Sequence, residues 1–125
     1  MKASGKKEMK IRVIEKIDRF VVMEPLLSSA YEETKTLSKK KQDGVLNKLK
    51  VGMINKLLVQ FRSILNKEAM AEYLELLDEE TLPTNSDAVF IIGQYIAAIK
   101  SFRVIYYKYD EEIGEDRWFI ENIEP

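Results

Sequence analysis

The chain has 125 residues, of which 46% are hydrophobic and 33% charged, with a net charge of -1. That balance fits one folded domain with a real hydrophobic core and excludes a disordered chain. The absence of His and Cys excludes Ser–His and Cys nucleophiles, N/S zinc sites, Glu-x-x-His di-iron motifs and disulfide frameworks.

Five Gly and three Pro leave little room for turn-rich loops, which favours helices over a many-stranded sheet. The expected fold is all-α. It is a single-domain bundle of four to five helices over residues 8–125, with a short C-terminal helix or extended arm and a flexible N-terminus over 1–7. The first residues lack the apolar run of a signal peptide. The most apolar segment, residues 88–99, is interrupted by Gln94 and falls short of the ~20 residues of a membrane span. Both features lead us to expect a soluble, cytoplasmic protein.

Between residues 8 and 23, Met9, Val13, Ile17, Phe20 and Val21 recur at helical spacing. A β-hairpin is the competing reading, because Met9, Ile11 and Val13 alternate, but Ile14 beside Val13 breaks that alternation. Pro25 suits a first helical position, so a second helix is expected from there to about residue 40. Asp43 stands as the cap of a third helix over 43–66. In that helix Leu46, Leu49, Met53, Leu57, Phe61 and Ile64 form the core stripe, widened by Ile54, Leu58 and Leu65, while Asn55 falls on the polar side. Lys50 is a misfit inside the apolar arc, expected to lead its ammonium out past the bundle end.

A fourth helix is expected over 68–78, turning Met70, Tyr73, Leu74 and Leu77 inward. Pro83 sets a loop, and Asn85 or Ser86 caps a fifth helix reaching about residue 107. Ala88, Ile92, Tyr95, Ile99, Phe102 and Tyr106 make its main stripe, and Phe90, Ala97 and Val104 recur every seven residues on the far side. A helix apolar nearly all round is either central or at an interface. In the tail, Trp118 and its apolar neighbours need cover, from a short helix or arm, or else from a hairpin pairing residues 105–112 with 117–123.

Charge is unevenly spread. Residues 35–67 hold nine basic groups against Asp43 alone, net +8, whereas 68–82 and 110–125 are each net -6. Lys39, Lys40, Lys41, Lys48, Lys56 and Arg62 could form a surface for a nucleic acid or an acidic partner. The same stretch carries no aromatic residues for base stacking apart from the core-facing Phe61, and the overall pI is about 5.7. The glycines match no phosphate-binding loop. The carboxylates of the 68–78 segment are expected to face water rather than converge on Mg²⁺.

No cofactor, metal or catalytic residue is expected. The function expected is that of a non-enzymatic helical interaction protein, an adaptor or regulator binding a protein partner or a second copy of itself. Phe90, Ala97, Val104 and Trp118 are the expected interface. A nucleic-acid-binding module using the basic 35–67 segment is the alternative, and no membrane is involved.

Overall fold

A computed structural model describes residues 2–125; Met1, in the expected flexible N-terminus, lies outside the described residues. Three helices form the body: α1 (Lys2–Lys40), α2 (Lys48–Leu65) and α3 (Asn85–Tyr106). A two-stranded antiparallel hairpin follows, β1 (Tyr107–Asp110) and β2 (Glu115–Trp118), with short 3₁₀ turns at Ala69–Tyr73 and Ile120–Asn122. The chain is mostly helical, but it is not the expected all-α bundle of four to five helices.

The first two expected helices are one. Pro25 lies inside α1, where its outer-face position sacrifices a single solvent-side backbone bond. The buried row of Val13, Ile17, Phe20, Met23, Leu27 and Thr34 runs unbroken past it, so packing on both sides outweighs the local cost. At 1.5 Å per residue α1 is about 58 Å long. Contacts such as Arg19–Gln60 and Lys50–Glu33 set α2 antiparallel to it, and Arg103–Glu24 together with Gly93 against Tyr31 does the same for α3.

The link between α1 and α2 is a turn over residues 41–47. Asn47, not Asp43, caps α2, its side chain accepting from the Lys50 amide at 2.8 Å. Gly44 sits where the turn meets α3: its carbonyl accepts from the Asn85 amide at 2.7 Å, and a Cβ there would lie 3.0 Å from the Asn85 side chain. Thr84, not Asn85 or Ser86, caps α3 through the Asp87 amide.

α2 turns inward a face that overlaps the expected one but is rotated: Phe61, Ile64, Ile54, Leu58 and Leu65 are inside as expected, and Leu49 and Met53 are not. Val51, Ile54, Asn55, Leu58, Phe61, Ile64 and Leu65 are buried, whereas Leu49 is 72% and Met53 59% exposed. Two rows at three-to-four spacing overlap on this helix. The row that wins is the one facing α1 and the returning chain. Lys50, instead of passing the bundle end, crosses to α1 and bonds Glu33 at 2.9 Å.

The expected fourth helix is only the 3₁₀ turn Ala69–Tyr73, after which residues 74–84 form a non-helical link between α2 and α3, with a bend at 79–81 where Asp78 accepts from the Glu80 and Thr81 amides. Helix propensity loses here because side chains supply the backbone partners. Asn55 donates to the Leu77 carbonyl at 2.8 Å and accepts from its amide at 3.0 Å; Tyr95 donates to the Glu75 carbonyl at 2.7 Å. Leu74 and Leu77 fill the gap while Tyr73 turns outward. Burial pushes the Tyr95 phenol up to about 12.

The tail takes the hairpin form, not a last helix. Gly114 supplies the positive φ of 74° that the turn requires. Trp118 packs on Phe20 at 5.6 Å and Tyr107 at 5.2 Å, and Arg103 lies 5.2 Å above its ring while bonded to Glu24 at 2.9 Å. Arg117 ties the hairpin together, bonding Asp110 at 2.6 Å and Glu121 at 2.8 Å. Its hydrogen bonds hold the Glu121 carboxyl down at about 2, against an ordinary 4.5, and lower Asp110 as well.

Carboxyls depressed in the fold stabilise it above their unfolded range, and that contribution disappears as pH falls through the folded value. The Arg117 pairs that close the tail on itself are therefore expected to weaken between about pH 4.5 and 2, loosening the hairpin around Trp118. Trp118, the one tryptophan, reports this directly. Its emission should shift to the red in that window, ahead of the loss of helical circular dichroism, and Arg117→Ala should remove the separate transition. A single transition shared by both signals in the native chain would contradict it.

Candidate functional site

The outward face of α3 carries the seven-residue row. Its core face is Ala88, Ile92, Tyr95, Ile99 and Phe102, all 3% exposed or less. At 100° per residue, Phe90, Ala97 and Val104 fall diametrically opposite. Phe90 is 70% and Val104 76% exposed, and Ala97 is exposed between them. α1 covers one flank of α3, where Gly93 meets the Tyr31 ring, and the 74–84 link covers the other. Gln94 and Ser101 border the row on one side and the exposed Lys100 on the other, so over about 21 Å the row itself is apolar but one cation lies beside its centre. By length and composition, α3 is also the one helix among the described residues apolar enough to cross a membrane.

Trp118 does not join this row. It is half-buried in the aromatic group of Phe20, Phe102 and Tyr107, where it anchors the hairpin. The requirement for cover, visible in the sequence, is met within the chain.

Lys39, Lys40, Lys41, Lys48, Lys56 and Arg62 are all exposed. None forms an ion pair within 4.0 Å among the described residues. They do not make one surface. Lys39, Lys40, Lys41 and Lys48 gather where α1 ends and α2 begins, whereas Arg62 lies 14 residues beyond Lys48, about 21 Å along α2. The acidic tail lies elsewhere: the Glu124 carbonyl accepts from Lys16, and Glu121 and Glu124 line a cleft with Lys6 and Lys10 at the N-terminal part of α1.

A second apolar surface is absent from the expected sites. A groove of about 390 Å³ between α1 and α2 is lined by Leu26, Ala30, Met53 and Leu57, with the Glu33–Lys50 pair at its rim. The signal for it was the second row on α2, Leu49, Met53 and Leu57, which reads as core until the neighbours of α2 are known. Among the described residues no three carboxylates gather as a metal-binding group; Glu32 and Glu33 are engaged by Lys35 and Lys50 instead.

No protein-family model matches the chain, and neither the curated proteins nor the solved structures contain a match. Its surfaces are therefore the ground on which a function can be argued.

Proposed function

We propose that the chain is a non-enzymatic interaction protein that binds another macromolecule through the outward face of α3. The observation that carries this reading is the exposed apolar row of Phe90, Ala97 and Val104 opposite the core, with Lys100 at its edge. Exposed apolar side chains aligned on one face mark contacts with partners, and a preformed helix face loses little conformational freedom on docking. The charge separation between the lysine-rich turn and the acidic hairpin orients the encounter.

Because the row lies outside the core, Phe90→Glu and Val104→Glu should change stability by no more than ~0.5 kcal/mol. They should nevertheless abolish binding. The test uses the native chain and both variants as baits in extract from the source cell, followed by calorimetric titration of each purified protein that only the native chain retains. Equal retention by all three baits would refute the reading.

Nucleic-acid binding is the second reading. It is favoured by the exposed, ion-pair-free Lys39, Lys40, Lys41 and Lys48 at one corner of the molecule. A labelled oligonucleotide should then bind with steep salt dependence, and Lys39/Lys40/Lys41→Glu should eliminate binding. Oligonucleotide anisotropy that does not change with added protein at low salt would dismiss it.

A further inference from the structure

We propose that the macromolecule bound by α3 is a second copy of this chain, docked antiparallel about a two-fold axis at Ala97. This inference rests on the reading of α3 as the binding face and names its occupant. Phe90 and Val104 each lie seven residues from Ala97. A two-fold axis there sets Phe90 of one copy against Val104 of the other, twice, with Ala97 on Ala97 allowing the helices to approach closely. Parallel docking would instead place the large ring on its own twin.

Charge selects the same arrangement. The start of α3 is bonded to the lysine-rich turn: Asn85 donates to the Lys41 carbonyl at 2.9 Å and the Ser86 amide to that of Gln42 at 3.2 Å. The end of α3 runs directly into the hairpin, whose turn carries Asp110, Glu111, Glu112, Glu115 and Asp116. Antiparallel docking lays the Lys39, Lys40 and Lys41 corner of each copy beside the acidic turn of the other. Parallel docking would bring like charges together at both ends. The two α3 macrodipoles also oppose one another in the antiparallel form.

The α3 face alone offers on the order of 400 Å², half the ~800 Å² that a standard interface takes from each partner. The dimer is accordingly weak, with a dissociation constant on the order of 10–100 μM.

The chain has no Cys, so Ala97→Cys introduces its one thiol. Mild oxidation at about 300 μM, above the expected constant, should convert Ala97→Cys to a disulfide dimer. A mixture of Phe90→Cys and Val104→Cys should give the mixed disulfide, while Phe90→Cys alone should not cross-link. Sedimentation equilibrium provides the non-covalent test. Lys39/Lys40/Lys41→Glu and Glu111/Glu112→Lys should each weaken self-association at least ~10-fold, and their equimolar mixture should restore it, because both contacts regain opposite charges.

A monomer at that concentration with no Ala97→Cys dimer would overturn the second-copy assignment. If Phe90→Glu still abolished capture of another protein, the α3 reading would survive that failure. A dimer that Phe90→Glu leaves intact would remove α3 as the contact. Flotation of the native chain with phosphatidylcholine vesicles, without dimerisation, would assign the face to lipid and also overturn the proposal.

Discussion

Asn55→Ala is expected to lower stability by about 3 kcal/mol, because it strips both partners from a buried backbone group at once. Asn55 is 5% exposed, and its amide holds the carbonyl and the N–H of Leu77 together. Alanine leaves that donor and acceptor without partners beside Leu74 and Leu77, which are 3% exposed each. Each orphaned group costs ~1–3 kcal/mol, and the vacated volume adds to the loss. Asn55→Asp nearly preserves shape but cannot donate to the Leu77 carbonyl, so it should be destabilising too. Urea unfolding measures the total, and amide exchange at Leu77 locates it. A loss under ~1 kcal/mol would mean that water replaces both bonds.

Phe20→Ala is expected to cost ~3–5 kcal/mol, a large share of the ~5–15 kcal/mol available to a domain. Phe20 is fully buried and serves every element of the body. Its ring meets Phe61 of α2 edge-on at 5.7 Å, Phe102 of α3 at 5.1 Å and Trp118 of the hairpin at 5.6 Å. Arg103 lies 5.7 Å over the same ring while held by Glu24. Removing the ring therefore takes away core volume, three aromatic contacts and part of the seat of the Arg103–Glu24 pair. Phe20→Leu retains most of the volume and should lose about half as much. Denaturant midpoints compare the variants, and Trp118 emission shows whether the hairpin is released. Near-native stability of Phe20→Ala would show that the group collapses into the space.

Helical periodicity was legible where one face of an element meets one neighbour. The spacing of Val13, Ile17 and Phe20 identifies the first part of α1, and Ile92, Tyr95, Ile99 and Phe102 identify the core face of α3. The seven-residue recurrence of Phe90, Ala97 and Val104 singled out the row that the fold leaves exposed. Pro25 misled because its local penalty is real but a buried row continues across it. The 68–78 segment misled for the opposite reason. Its composition favours helix, yet side chains of Asn55 and Tyr95, distant in sequence, hold its backbone extended. Asn55 sits on the polar side of a helical wheel, and no local pattern reveals that Leu77 will need it. The sequence shows that Trp118 needs cover, but nothing in its neighbourhood shows that Phe20 supplies it.

The partners of Arg103 have a consequence for how the protein is made. Glu24, the carboxylate that holds Arg103, precedes it by 79 residues. At ~5–20 residues per second, the ribosome takes several seconds to deliver α3 after the middle of α1 has emerged. During that interval Phe20 and Leu27, both fully buried at the end, can meet α2 but not α3. The nascent chain thus displays the apolar face of α1 half-covered until α3 has been synthesised.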